Sequence, residues 1–167
     1  SSAKVSITVS EGNTLPTVVA DTATVAEDSK NTTVDVLAND TDADSDDLSV
    51  ASVTQGESGT VTLSAGSVLY TPDADFEGKD NFTYTVTDGN GGISSGRVTM
   101  TVTAVEDDPT ATNDTLDPVE AGSGKIEVDL ISNDSDADGD VITISAVGDA
   151  LYGTTTYAAG TIYYQPG

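Results

Sequence analysis

The sequence repeats itself every 93 to 94 residues, and this constrains the fold more than any other feature of it. Pro16-Thr17 through Ala20-Asp21 recurs as Pro109-Thr110 through Asn113-Asp114, 93 residues on. Asn39-Asp40-Thr41-Asp42-Ala43-Asp44-Ser45-Asp46 returns as Asn133-Asp134-Ser135-Asp136-Ala137-Asp138-Gly139-Asp140, 94 residues on. Tyr70-Thr71-Pro72 returns as Tyr164-Gln165-Pro166 at the same spacing of 94. The opening stretch, Ser1 to Val9, matches Ser94 to Val102 at a spacing of 93. Several anchors at one spacing identify a tandem array, and a period of this size corresponds to one small domain per repeat. The expected organisation is the last strand of a preceding repeat over 1–10, a complete repeat over 16–104, and a truncated following repeat over 109–167.

Within the complete repeat, apolar and polar residues alternate in short runs rich in Val, Ile and Thr. Period-two alternation places one face of a strand inward, so these runs read as half-buried strands. Seven are expected, near 18–26, 32–37, 48–54, 59–64, 67–71, 80–87 and 93–103. Turn-forming stretches separate them, among them Asp28-Ser29-Lys30-Asn31, Ala65-Gly66 and Asp88-Gly89-Asn90-Gly91-Gly92. About seven short strands in a domain of about 100 residues indicate an all-β, immunoglobulin-like β-sandwich. Phe82 and Tyr84 alternate with Thr, as do Val98, Met100 and Val102, and these side chains are expected in the core. No segment reads as a helix.

Charge narrows the partners. Lys plus Arg number 5 against 29 Asp plus Glu, a formal charge of −24, so nucleic acid and anionic lipid surfaces are repelled. No run of about 18 apolar residues offers a membrane-spanning helix, and no direct membrane insertion is expected. The chain contains no Cys, His or Trp. Disulfides, thiolate or imidazole metal sites and the usual Ser-His-Asp triad are therefore unavailable. Paired carboxylates alone can hydrolyse glycosides, but the acids here cluster in turns with no sign of a cleft, so no enzyme activity is expected. Lys30 and Lys79 also fall in turns, which disfavours a buried isopeptide crosslink.

The acids have an ordered placement. An odd number of alternating strands puts the two chain ends of a domain at opposite poles. The loop from Asp40 to Asp47, with Asp42, Asp44 and Asp46 at every second position, then shares the N-terminal pole with the Asp88 turn. The Glu27-Asp28 turn and the loop carrying Asp73, Asp75 and Glu77 share the C-terminal pole, from which the linker Glu106-Asp107-Asp108-Pro109 leaves. Asp134, Asp136, Asp138 and Asp140 repeat the first loop in the following repeat. Calcium takes six to eight oxygens at roughly 2.3–2.6 Å in adaptable geometry, which suits such a carboxylate cluster; magnesium retains more water. A helix–loop–helix calcium hand does not fit, because its bidentate Glu at the twelfth position would fall on Ala51 or Ser145.

The order Pro16-Thr17-Val18-Val19-Ala20-Asp21, Glu27-Asp28, Leu37-Ala38-Asn39-Asp40, Tyr70-Thr71-Pro72 and Phe76-Glu77-Gly78-Lys79-Asp80-Asn81-Phe82-Thr83-Tyr84, followed by Val86 to Gly92, resembles a bacterial family. That family comprises the cadherin-like and immunoglobulin-like tandem repeats of RTX-type surface adhesins and biofilm proteins. The resemblance covers essentially the whole chain. It implies tandem immunoglobulin/cadherin-like Greek-key β-sandwich repeats, outside the cell or on its surface, with calcium between consecutive domains. On that pattern Glu27, the acidic linker Glu106-Asp107-Asp108, the Asp42-Ala43-Asp44 and Asp136-Ala137-Asp138 elements and Asp88 match ligand positions, and Asp73 or Asp75 matches loosely. The first linker, Glu11 to Pro16, has one carboxylate where the second has three, so the later junction is the better equipped.

The expected function is a calcium-binding structural repeat of an extracellular bacterial adhesin, stiffened at its junctions with neighbouring repeats of the same polypeptide. Two alternatives stand beside it. One is a calcium-dependent carbohydrate-binding module for cell-surface or polysaccharide ligands, with Tyr152, Tyr157, Tyr163 and Tyr164 as stacking faces. The other is a filament subunit assembled by strand donation from Val5-Ser6-Ile7-Thr8-Val9.

Overall fold

The computed structural model describes residues 4–7 and 12–167. Contacts divide the chain into two compact units, Ser1–Val105 and Glu106–Gly167. Among the described residues every regular element is a strand.

Unit 1 has seven strands: β1 (Asp21–Ala26), β2 (Thr32–Val34), β3 (Ser49–Val53), β4 (Gly59–Ser64), β5 (Ser67–Pro72), β6 (Gly78–Thr87) and β7 (Ile93–Thr103). They form a four-stranded sheet in the order β1-β7-β6-β3 and a three-stranded sheet in the order β2-β5-β4. This is the Greek-key arrangement of an immunoglobulin-like sandwich. All pairings are antiparallel except β1 with β7, which run parallel in the register Asp21↔Val98 to Ala26↔Thr103.

The inward positions supply the core. Phe82, Tyr84 and Val86 of β6 and Val98, Met100 and Val102 of β7 are all at most 3% exposed, as their alternation requires. They share one cluster with Val25, Val34, Val36, Val61, Val68 and Tyr70 from the other strands. Tyr70 and Phe82 stack across the two sheets, centroids 6.3 Å apart. Apart from the exposed Ile93 at the start of β7, outward positions of β6 and β7 carry Thr, Ser, Asn, Lys or Arg instead.

The expected strand ends hold to within a residue or two except in the first two strands. β1 begins at Asp21 rather than near 18, because the preceding residues are engaged elsewhere. Thr17 forms a backbone bridge with Thr41, N–H to carbonyl 2.7 Å and 3.0 Å, and the Val19 N–H donates to the Asp40 carboxylate. β2 leaves the ladder after Val34, although Val36 still packs in the core. The strand expected near Val5–Val9 is absent over residues 4–7, where Val5 and Ile7 are exposed; its other positions lie outside the described residues.

One buried carboxylate ties the two sheets together. Asp80 on β6 is 2% exposed and accepts four hydrogen bonds. The donors are the N–H groups of Glu57 (2.9 Å), Ser58 (3.2 Å) and Asn81 (2.7 Å) and the Tyr70 hydroxyl (2.9 Å). Burial first, then the hydrogen bond to Asp80 and the Asp80 charge, raise the Tyr70 pKa, so the phenol stays protonated as a donor. Glycine is required beside it: a Cβ at Gly56 would lie 2.0 Å from Asp80 Oδ2, and one at Gly59 would lie 2.5 Å from the Tyr70 ring.

Unit 2 has three described strands, β8 (Ile126–Val128), β9 (Gly153–Ala158) and β10 (Thr161–Pro166), in one antiparallel sheet ordered β8-β10-β9. Shifted by the repeat spacing, these are the counterparts of β2, β4 and β5.

Asp80→Ala leaves the buried Tyr70 hydroxyl without its acceptor and takes the acceptor from the half-buried N–H groups of Glu57 and Ser58. At roughly 1–3 kcal/mol for one unsatisfied buried donor, unit 1 should lose about 1–3 kcal/mol. Chemical denaturation checks this, and a loss below about 1 kcal/mol would show that the clamp is not what joins the sheets.

Candidate metal centre

The loop between β2 and β3 is shaped by its own aspartates. Asp40 anchors the entry: its carboxylate accepts the Val19 N–H at 2.8 Å and the Tyr84 hydroxyl at 3.2 Å. Asp42 Oδ1 then accepts the N–H groups of Asp44 (2.8 Å) and Asp46 (3.3 Å), an aspartate turn that bends the chain around one carboxylate. Ser45 takes a positive φ of 65° at the tip. The bend puts alternate side chains on one side, and carboxylate oxygens of Asp42, Asp44 and Asp46 lie within 4.8 Å of one another. Asp42 Oδ2 is buried and makes no hydrogen bond.

The same pole carries Asp88. It is buried in the turn between β6 and β7, where it accepts the N–H groups of Asn90 (2.8 Å) and Gly92 (2.9 Å) and the Asn13 amide (2.8 Å). These bonds, the one from Asn13 foremost, hold its pKa below the usual carboxylate value. Asp44 is likewise lowered, because the Thr14 hydroxyl and N–H both donate to its Oδ2, while the nearby Asp88 charge works against them. Asp21 goes the other way. Burial beside Tyr84 and the charge of Asp40 raise its pKa, with hydrogen bonds from Tyr84 and Asn39 opposing.

At the opposite pole of unit 1, Glu27 is buried. Its N–H donates to the Thr103 carbonyl (2.9 Å) and its carboxylate accepts the Val105 N–H, so the start of the linker is held against the β1–β2 turn. Asp28 and Asp75, both exposed and at positive φ (57° and 55°), bring carboxylate oxygens within 4.8 Å of each other. Asp73 is exposed and shapes its loop through the backbone: its N–H donates to the Ser58 carbonyl (3.0 Å) and its carbonyl accepts the Phe76 N–H (3.3 Å).

Unit 2 reproduces several bonds of the aspartate loop. Thr110 bridges Ser135, the Thr112 N–H donates to Asp134 (2.8 Å), and the Asp140 N–H donates to Asp136 (3.0 Å). Gly139, at φ 77°, stands where Ser45 does. The Asp107 N–H donates to Asp138 (2.7 Å), the place Thr14 takes on Asp44. Asp107 and Asp138 bring carboxylate oxygens within 4.8 Å of each other. Glu106 and Asp108 are exposed, and Glu11 of the first linker lies outside the described residues.

The candidate ligands thus separate by what their oxygens already do. Asp42, Asp44 and Asp46 converge, with Asp42 Oδ1 and Asp44 Oδ2 already accepting hydrogen bonds and Asp42 Oδ2 accepting none. Asp40, Asp134 and Asp88 spend oxygens on backbone N–H groups, a phenol or an amide. Asp80, Asp21, Asn13 and Thr14 were not singled out in the sequence. The signal that could have pointed to a close approach near Asp80 is the Gly56-Glu57-Ser58-Gly59 run, whose glycines leave room for it. Of the four tyrosines, Tyr152 and Tyr157 are exposed, Tyr163 lies under the Lys125 ammonium at 3.9 Å, and Tyr164 sits in β10 with its hydroxyl on the Tyr152 carbonyl.

A seven-stranded Greek-key sandwich with its acids gathered in polar loops, followed by a second copy of the same loop, is a tandem immunoglobulin-like repeat. The chain belongs to the bacterial Ig domain family, whose pattern matches residues 13–101 and again 106–167. Membership points to a structural surface repeat and to a non-catalytic domain. No curated protein is significantly similar to the chain. Among solved structures it is similar to an endo-fucoidan hydrolase from glycoside hydrolase family 107, at 18% identity and a TM-score of 0.42, over 91% of this chain and 24% of that one. It is also similar to a chimeric titin Z1Z2 carrying an exogenous peptide from decorin, at 12% identity and a TM-score of 0.34, over 92% of this chain and 82% of that one. The chain spans about a quarter of the length of the hydrolase.

Asp21 gives a pH test with a definite sign. A carboxyl whose folded pKa is raised above the ordinary 3.8 destabilises the fold once ionised; the penalty is absent below 3.8 and grows as pH rises through the folded value. Asp21→Asn should therefore raise the melting temperature at pH 7 and change it little near pH 3. Equal effects at both pH values would remove the buried-charge account.

Proposed function

We propose that the chain is a calcium-binding structural repeat of an extracellular, RTX-type bacterial adhesin, and that calcium stiffens the junctions between its repeats. The observation that carries this reading is the convergence of Asp42, Asp44 and Asp46, with Asp42 Oδ2 buried and unpartnered, in a loop part of whose bonding recurs at 134–140. An aspartate loop that served only solubility would need neither convergence nor repetition. An oxygen-only donor set without imidazole or thiolate favours a hard cation, and several carboxylates with adaptable spacing favour calcium over magnesium.

The linker supports a mechanical role. Within unit 1 its first residue, Val105, is held by Glu27; within unit 2 Asp107 is held by the loop aspartate Asp138. Cation binding at carboxylates on or beside such a linker restricts its backbone, so binding energy is converted into stiffness. Calcium also removes part of the repulsion built up by a net charge of −24. A sugar-stacking role would rest on Tyr152 and Tyr157 alone, since Tyr163 and Tyr164 have partners.

Calcium at about 100 times its dissociation constant should stabilise the protein by about 2.7 kcal/mol per site, raising the melting temperature. The variant carrying Asp42→Asn, Asp44→Asn and Asp46→Asn should lose most of the unit 1 increment. Small-angle scattering should report a narrower distribution of interdomain distances with calcium than with EDTA. Melting and scattering profiles indifferent to EDTA would sink the proposal.

A further inference from the structure

Edge strands are open templates, because their outward N–H and C=O groups can pair with another chain. The sheets of unit 1 end on β1 and β3 and on β2 and β4. β1 opens on the acid Asp21, β2 pairs over three residues, and β3 breaks its register between Val50 and Ser52. β4 pairs without interruption from Gly59 to Ser64, and its Thr60, Thr62 and Ser64 side chains are exposed. Ser58 to Pro72, the hairpin of β4 and β5, contain no charged residue in a chain of net charge −24. A neutral edge rich in Thr and Val, with unbroken register, is the kind that joins copies of a chain.

One side chain closes that edge. The Gln55 amide donates to the Val61 carbonyl at 2.8 Å, and its Oε1 accepts the Val61 N–H at 2.9 Å. The amide thereby makes the two bonds that a facing strand residue would make with Val61. Bonds to β5 fall on the alternate residues, beginning with the Ser58 carbonyl, which accepts the Asp73 N–H at 3.0 Å. Gly59, Val61 and Leu63 therefore present the outward row, and Gln55 takes its middle position. The preceding residue anchors it on the other sheet, where the Thr54 N–H donates to the Thr83 carbonyl of β6 at 2.9 Å.

We propose that Gln55 stands in for a neighbouring strand and keeps β4 from pairing with the β4 edge of a second copy. Without it, two copies can meet antiparallel about Val61, Thr60 of one facing Thr62 of the other, through the same surface on both. With it, an incoming strand finds the central donor and acceptor of the row already taken. The 94-residue shift puts Asp149 at the position of Gln55, so the second repeat sets a charge there, another means by which edges are kept apart.

The test uses the whole 167-residue chain in EDTA, so that calcium plays no part. In the wild type the Val61 amide should exchange slowly with solvent although it faces outward. In Gln55→Ala, at concentrations too low for association, it should exchange several-fold faster while the Thr60 and Thr62 amides keep their protection. At rising concentration Gln55→Ala should sediment as a dimer relative to the wild type. Gln55→Glu loses the same amide donor but brings a charge to the edge, and it should keep the wild-type profile. Adding Thr60→Lys and Thr62→Lys to Gln55→Ala sets like charges opposite each other across the pair and should restore that profile. A Gln55 that served stability alone would weaken unit 1 alike in the alanine and glutamate variants and promote association in neither. Unchanged Val61 exchange in Gln55→Ala, equal association of the alanine and glutamate variants, or dimers that survive the two lysines would overturn the proposal.

Discussion

Mutual repulsion among 29 acids, set against 5 basic residues, is the constraint around which the rest of the structure is arranged. A sandwich can tolerate that charge only if it stays off the sheet faces, where like charges on neighbouring strands would stand about 5 Å apart. Among the described residues, only the acids Asp21, Asp80 and Glu127 lie within strands. The outward positions of β6 and β7 instead carry hydroxyls, such as Thr83, Thr85, Thr99 and Thr101. Their cross-strand contacts, Thr85 with Ser95 and Thr54 with Thr83, are neutral. The carboxylates are displaced to the ends of the sandwich, where they crowd into the loops.

At those ends, backbone dipoles do much of the neutralising. Asp42 and Asp88 each gather N–H groups two and four residues ahead, and Asp80 gathers those of Glu57, Ser58 and Asn81. Such bonds stabilise the ionised form and shape the loop in one step. They also sort the acids. An oxygen facing a backbone N–H is spent on structure, whereas Asp42 Oδ2, with no donor, has its lone pairs available. The calcium proposal therefore rests on a few oxygens rather than on acidity at large.

Much of the fold was legible because strand alternation and turn chemistry agree with each other. β4 and β7 run between the residues expected of them, bounded by Gly59, Ala65-Gly66 and the Asp88–Gly92 turn. The start of β1 was not legible. Val18 and Val19 continue the alternation of the strand, but their backbone is taken by the loop opposite, through Thr41 and Asp40. Among the acids, the every-second-residue spacing marked Asp42, Asp44 and Asp46 as a group. No local signal distinguished Asp80 from its neighbours, since two of its four donors come from a turn 22 to 23 residues away and a third from Tyr70 on the other sheet.

The sequence by itself determined the array: the repeat period, the seven strands of the first unit, their inward faces and the loops that hold the acids. These follow from local periodicity, which a single chain displays without reference to its partners. Only the tertiary structure decided which carboxylates converge and which are consumed. That distinction depends on donors brought from distant strands and loops, such as Tyr84 to Asp40, Asn13 to Asp88 and Tyr70 to Asp80. Folding supplies those contacts through space, and spacing along the chain does not encode them.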